Sequence, residues 1–223
     1  TAPAASPLSS ASCTAAVNAG APVEMPWRDD VAAVLLSWFP GQEFGDALAD
    51  VLTGASEPGG RLPTTWPKVM ADVPVLDTEP AADNALPYTE GIHIGYRAWL
   101  KSGVAPAYPF GHGLGYTSWE LVDLTVRGHT ATVTVRNIGE RSGRQVVQAY
   151  LSRADSAIDR PVRWLAGFAA VEAGAGETVT ATIELPQRAF EHWTEQGWVV
   201  EPGVFTLHVG TSVSALPLTA EIS

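Results

Sequence analysis

Glu90, Tyr96 and Arg97 are the residues whose types and spacing best fit contact with a polar ligand. They lie in TEGIHIGYRAW, residues 89–99, and their carboxylate, hydroxyl and guanidinium groups could hydrogen-bond the hydroxyl groups of a polar ligand. The alternative is that Glu90 and Arg97 form an ion pair that fixes this segment in place. A segment with few backbone ladders needs side-chain partners, which favours the structural interpretation. All three residues are kept as candidate substrate-binding residues.

Metal and redox chemistry have little support in the sequence. His93 alternates with Ile92 and Ile94 and has no further ligand at a useful spacing, so it is interpreted as a surface or packing histidine. His112 lies between glycines in FGHGLGY, a pattern that favours a tight turn over a ligand contact. The single cysteine, Cys13, can form neither an internal disulfide nor a zinc site with other cysteines. We expect no metal and no cofactor.

Glu43 follows the turn Pro-Gly-Gln in FPGQEFGDALADVLTG, residues 39–54. It could accept a hydrogen bond from a sugar hydroxyl, but a carboxylate in the first turn of a helix is favoured by the helix dipole alone. Gly41 and Gly45 do not form a phosphate-binding loop, because no lysine follows and the GxGxxG pattern is absent. The stretch is therefore interpreted as a packing unit.

Tryptophans lie in the C-terminal half and allow two interpretations. They could form a platform on which sugar rings stack, as a carbohydrate-binding module requires. Their apolar strand neighbours favour buried anchors of a β-sandwich and of its contact with the preceding domain. The residues concerned are Trp119, Trp164, Trp193 and Trp198.

Composition excludes several classes of partner. The 223 residues are 46% hydrophobic, which is typical of globular protein, and the formal net charge of −11 disfavours binding to nucleic acid. No apolar stretch reaches membrane-spanning length, so no membrane partner is expected. The expectation is a soluble chain, cytoplasmic or secreted.

The N-terminal part reads as a strand, a turn and a helix. Residues 1–17 are rich in Ser, Ala and Pro and are expected to form a flexible leader. The run VAAVLLSWF, residues 31–39, predicts a strand buried on both faces, as in a parallel sheet, with a helix as the alternative. Leu48, Val51 and Leu52 recur at helical spacing and are expected to cover that strand, and Gly54 predicts the end of the helix.

Two different patterns follow. Residues 57–116 are punctuated by proline and glycine and predict an ordered connector without regular elements. About seven runs with alternating apolar residues come after it, among them TATVTV, and they predict a fibronectin- or immunoglobulin-like sandwich. The predicted fold class is thus an α/β fragment, part of an α/β sandwich domain, followed by an all-β sandwich. The predicted domains are residues 1–17, 18–118 and 119–223.

The order of several motifs resembles the C-terminal part of glycoside hydrolase family 3, the family of many β-glucosidases. They are AGAPVEMPW, WFPGQEFGDALADVLTGASEPGGRLPTTWP, YTEGIHIGYRAWL, YPFGHGLGYTSWE, VTVRNIGERSGRQVVQAYLS, RWLAGFAAVEAGAGETVTATIEL and WVVEPGVFTLHVGTS. The resemblance runs from about residue 18 to the end. It implies an α/β sandwich domain with a trailing connector, followed by a fibronectin type III-like domain.

The resemblance also implies a retaining β-glycosidase whose catalytic carboxylates lie elsewhere. Such chemistry uses two carboxyl groups about 5 Å apart. The family's nucleophile is an Asp in a Ser-Asp-Trp-like context of an N-terminal barrel, and that string does not occur here. The family's acid/base Glu lies upstream of the stretch matched by AGAPV, where this chain has no acidic residue before Glu24. No catalytic residue is therefore carried over.

Two functions stay open from the sequence. The first is the C-terminal portion of an exo-acting β-glucosidase-like enzyme that acts on β-linked glucosides or oligosaccharides, needs its N-terminal catalytic half or self-association, and is inactive alone. The second is a non-catalytic carbohydrate-binding or scaffold module built on the sandwich. The strand–turn–helix stretch favours the first, because a binding module would not need it.

Overall fold

The computed structural model describes residues 13–74 and 79–223, and the first element in it is a pair of parallel strands. Strand β1 (Thr14–Val17) pairs with β2 (Ala33–Leu36), with Thr14 opposite Ala33. The expectation of a flexible leader over residues 1–17 is wrong for residues 14–17, because these residues form a strand that pairs with β2. Residues 1–12 lie outside the described residues.

The predicted burial of the second strand is also wrong. Strand β2 is four residues long, and its side chains are half-buried or exposed. Within the described part of the chain its only strand neighbour is β1. A sheet of two strands has no layers of helices within this range to bury both faces of β2. The second edge of β2 also has no strand neighbour there.

Helix α1 (Phe44–Thr53) follows the turn, as the spacing predicts. Gly54 ends it in the left-handed conformation, with φ of 78°, and donates its backbone N–H to the Val51 carbonyl oxygen at 3.0 Å. The helix buries none of its residues, and Leu52 is 53% exposed. The expectation that Leu52 covers the strand is therefore wrong in this structure.

The connector contains a helix that the pattern did not predict. Helix α2 (Tyr96–Ser102) buries Ala98 and Trp99 and ends at Gly103, which is left-handed with φ of 71°. Elsewhere the connector is held by an antiparallel bridge between Trp66 and Tyr108. Short 3-10 turns occur at Arg28–Asp30, Met70–Asp72 and Gln187–Ala189.

The C-terminal part is a sandwich of two antiparallel sheets, which confirms the predicted fold class. One sheet has the order β11-β10-β5-β6 and the other β3-β4-β7, while β8 and β9 form a separate ribbon. The strands are β3 (Trp119–Arg127), β4 (Thr130–Asn137), β5 (Gly143–Ser152), β6 (Trp164–Ala173), β7 (Thr178–Glu184), β8 (Glu191–Thr194), β9 (Gly197–Val200), β10 (Phe205–Gly210) and β11 (Leu218–Ile222).

The core lies between the two sheets, because alternate residues of each strand point inward. In TATVTV the inward residues are Ala131, Val133 and Val135, all fully buried, as the alternation predicts. They pack against Val147 and Leu207 of the facing sheet in one continuous cluster. In the parts of the chain described, no helix is both long and apolar enough to cross a membrane.

Candidate functional site

Tyr96, one of the three candidate binding residues, is used for packing. Its hydroxyl accepts a hydrogen bond from the backbone N–H of Leu165 in β6 at 2.8 Å. Its ring stacks on Phe110 at 4.6 Å and meets the edge of Tyr150 at 6.2 Å between ring centres. These contacts hold helix α2 on the outer face of the β11-β10-β5-β6 sheet.

A buried polar network continues this contact between connector and sandwich. The Gln148 amide nitrogen donates to the carbonyl oxygens of Gly111 and Thr211 at 3.0 and 2.7 Å. Its oxygen accepts from the Tyr150 hydroxyl at 2.6 Å. Burial, with a contribution from Tyr96, raises the pKa of Tyr150, which stays a neutral hydrogen-bond donor. The outer face of the sheet is therefore a polar docking surface for the connector.

Glu90 and Arg97 do not form the expected ion pair: no contact of this kind joins them in residues 79–223. Both side chains are half-buried. The Arg97 guanidinium lies 5.9 Å from the ring centre of Tyr96. The prediction that the pair pins the connector is wrong, and a ligand contact for either residue remains a prediction.

His93 is buried and paired rather than exposed. Its Nε2 atom lies 3.1 Å from the Asp159 carboxylate. This contact joins the segment just before helix α2 to the β5–β6 loop. His112 stacks on Tyr108 at 5.4 Å, and burial, aided by the positive charge of Arg61, lowers its pKa. Neither belongs to a cluster of three metal-ligating side chains among the residues that the structure describes.

Among the described residues, Glu201 is the most strongly held carboxylate, and sequence reasoning missed it. It is 7% exposed and accepts hydrogen bonds from Ser156 Oγ at 2.9 Å, Ala157 N at 2.8 Å and Arg160 Nε at 2.9 Å. Arg153 lies 3.8 Å away. Desolvation raises the pKa of Glu201, but these bonds and charges outweigh it and lower the pKa to about 2. Such a group stays ionised and cannot serve as a general acid.

The sequence held one signal for this cluster. Three arginines, Arg153, Arg160 and Arg163, lie in the loop between β5 and β6. Several arginines in one loop predict nearby acidic partners, but the loop has its own acids, Asp155 and Asp159, and the alternation of the strands does not identify Glu201 as a further one.

The carboxyl ends of β1 and β2 form a second candidate site. Trp38, two residues after β2, has φ of 53°, which is rare for a bulky residue and costs about 1–3 kcal/mol. Its indole packs against Trp66, with ring centres 6.1 Å apart, and Trp66 is 2% exposed and donates to the Val23 carbonyl oxygen at 2.6 Å. The next residue, Phe39, is 79% exposed, and its ring lies over Gly20.

The tryptophans divide into two classes, which corrects the expectation that all are buried anchors. Trp164 is buried, and Trp119 packs on the core from its edge. Trp193 and Trp198 are 63% and 49% exposed on the β8–β9 ribbon, edge to face at 5.4 Å between ring centres. The Arg188 guanidinium lies 4.0 Å above the Trp198 ring. The ribbon is paired with neither sheet of the sandwich within the described residues.

An open cleft of about 1170 Å³ lies between the loop after α1 and the sandwich turns. Glu57 lies in it, with one carboxylate oxygen bonded to the Tyr116 N–H at 3.1 Å and the other buried without a partner. Arg141, Arg144 and Glu177 line it further, and no aromatic side chain from residues 13–74 or 79–223 does. A sugar pocket usually presents an aromatic wall, so this cleft fits a joint between two units better than a sugar site.

Two family matches cover most of the chain. Residues 9–116 match the Glycosyl hydrolase family 3 C-terminal domain. Residues 145–213 match the Fibronectin type III-like domain. Their order agrees with the fold described above.

Relatives with curated names are β-glucosidases. Thermostable beta-glucosidase B of Acetivibrio thermocellus is 39% identical over 203 residues, which cover 86% of this chain and 27% of that protein. A beta-glucosidase of Rhizobium radiobacter is 39% identical over 223 residues, 93% of this chain and 27% of that protein.

Solved structures agree with the fold over nearly the whole chain. DesR, a beta-glucosidase from Streptomyces venezuelae solved in complex with D-glucose, has a TM-score of 0.90 and 36% identity, covering 94% of this chain and 28% of that one. Beta-glucosidase 3B from Thermotoga neapolitana, in complex with alpha-D-glucose, has a TM-score of 0.86 and 39% identity, covering 94% and 31%. The chain thus spans between a quarter and a third of these relatives.

Proposed function

We propose, from the premise that the chain belongs to glycoside hydrolase family 3, that it is the C-terminal portion of a retaining, exo-acting β-glucosidase-like enzyme. The observation that carries the proposal is similarity to β-glucosidases over 94% of the chain at a TM-score of 0.90. The substrate class is a β-linked glucoside or oligosaccharide, whose O-glycosidic bond is hydrolysed.

The chemistry requires two carboxyl groups about 5 Å apart, one as nucleophile and one as acid and then base. We assign both to segments outside this chain. Glu201 is unsuited to either role, because its oxygens are occupied by Ser156, Ala157 and Arg160. The chain's part is to shape and brace the cleft, with Glu90 and Arg97 as proposed contacts to the substrate.

The partner of this chain is the N-terminal catalytic half. Support comes from strand β2, whose second edge has no neighbour in the described residues. An unpaired edge of a parallel sheet exposes backbone donors and acceptors that another strand can satisfy. Self-association is the alternative way to cover that edge.

Activity of the chain and of the complete protein tests the proposal. The purified chain should hydrolyse an aryl β-glucoside no faster than the uncatalysed background. The complete protein, or the chain mixed with its N-terminal half, should hydrolyse it with retention of the anomeric configuration. Turnover by the pure chain would contradict the assignment of the carboxylates. Sugar affinity in the chain alone, with no hydrolysis by the complete protein, would instead favour a carbohydrate-binding module.

A further inference from the structure

We propose that Phe39 is a substrate-contact residue, which stacks on a pyranose ring of the β-glucoside at the carboxyl ends of β1 and β2. This inference rests on the proposed function for the class of ligand. The site itself is argued from the geometry of the first sheet.

The two strands run parallel and end together, with Val17 opposite Leu36. Ser37 continues the alignment, because its N–H donates to the Val17 carbonyl oxygen at 2.9 Å. The chain then turns at Trp38 and presents Phe39. In open sheets of parallel strands, ligands bind outside the carboxyl ends, so Phe39 lies at the edge where a ligand is expected.

The backbone at Trp38 is an independent observation. A tryptophan with φ of 53° persists only where its surroundings hold it, and here Trp66 and its bond to Val23 do so. Strained residues of this kind concentrate at active sites and ligand clamps, where the strain helps to pre-organise the site. The residue after Trp38 is Phe39, whose ring projects into solvent instead of packing on the half-buried sheet.

The chemistry of Phe39 selects the ligand. One face of a β-glucopyranose carries only C–H groups, and the electron-rich face of a phenyl ring attracts them. Gly20 sets the position of the ring, because a Cβ at residue 20 would overlap Phe39. The glycine has no left-handed backbone conformation, so an alanine there moves the ring without straining the chain.

The test uses the complete protein and two matched pairs of variants. Phe39→Ala should raise KM for an aryl β-glucoside about tenfold and leave kcat within twofold, and Phe39→Tyr should restore KM. Gly20→Ala should raise KM in part. The controls are Phe168→Ala, an exposed phenylalanine of β6, and Gly45→Ala, a glycine with open space around it, and both should leave KM unchanged.

Glucose binding by calorimetry separates this inference from the proposed function. If the complete protein does not hydrolyse glucosides but binds glucose, Phe39→Ala should still weaken that binding about tenfold. Unchanged KM and unchanged glucose affinity in Phe39→Ala would overturn the inference, as would a drop in Tm without a change in either. A wild-type protein that neither hydrolyses nor binds would overturn both.

Discussion

Replacing Glu201 by glutamine tests what holds the β5–β6 loop on the sandwich. The substitution keeps the shape of the side chain but removes the negative charge between Arg153 and Arg160. The three side chains are at most 9% exposed, so water cannot take over the role of the carboxylate. Arg160 would then be a buried cation without its anion, while Arg153 would keep Asp155, 3.2 Å from its Nε atom.

The magnitude follows from which contacts survive. Removing one partner of a buried ion pair typically costs about 3–5 kcal/mol. Arg160 keeps the Phe190 carbonyl oxygen at 3.2 Å, and Arg153 keeps the Pro202 carbonyl oxygen at 2.8 Å. These bonds still satisfy some N–H groups of each guanidinium. We therefore expect a loss at the low end of that range, about 3 kcal/mol in the free energy of unfolding.

Urea denaturation followed by tryptophan fluorescence measures this loss, since Trp164 lies 5.1 Å from the Arg160 guanidinium and reports on the cluster. The matched control is Glu221→Gln on the exposed side of β11, which should change stability by less than about 0.5 kcal/mol. A loss below about 1 kcal/mol for Glu201→Gln, with an unchanged m-value, would refute the view that the buried charge holds the loop.

Three further predictions follow from the same structure. Because the pKa of Glu201 is lowered from 4.5 to about 2, its stabilising contribution should be full above pH 4.5 and decline as the pH falls toward 2, and a Glu201→Gln variant with the same decline would contradict this. Residues 119–223 expressed alone should unfold in one cooperative thermal transition, since the core cluster lies within them, and a flat scan would count against independence. Tyr96→Phe should cost about 1–2 kcal/mol by leaving the Leu165 N–H unpaired, while Tyr88→Phe, at an exposed position, should be neutral in the same denaturation assay.

The sequence predicts the elements whose signals are local. Helix α1 has its apolar spacing and its glycine stop, and strand β4 has strict alternation, so both form where expected. Helix α2 has seven residues between two glycines and no side-chain cap at its start. Its stability comes from burying Ala98 and Trp99 against other parts of the chain, and no local pattern contains that information.

The candidate site was less predictable, because its residues depend on which strands become partners. The run around Trp193 and Trp198 reads like other strands of the sandwich, yet it pairs only with itself as β8 and β9. Alternation alone does not say whether a strand joins a sheet or projects from it. Trp38 presents the same difficulty, since a left-handed tryptophan is set by distant contacts with Trp66.

Hydrogen bonds from the sandwich, and from the residues just before it, hold the C-terminal end of helix α1 in position. Arg141, in the turn before β5, donates to the carbonyl oxygen of Gly54, the residue that ends α1, at 2.6 Å. Tyr116, with the Arg141 guanidinium 5.4 Å from its ring centre, donates to the Val51 carbonyl oxygen at 2.5 Å. Both bonds end on carbonyl groups at the C-terminal end of α1: Val51, whose oxygen also accepts from the Gly54 N–H, and Gly54 itself. Because α1 buries none of its own residues, these two bonds at its C-terminal end fix its direction on the sandwich better than packing does.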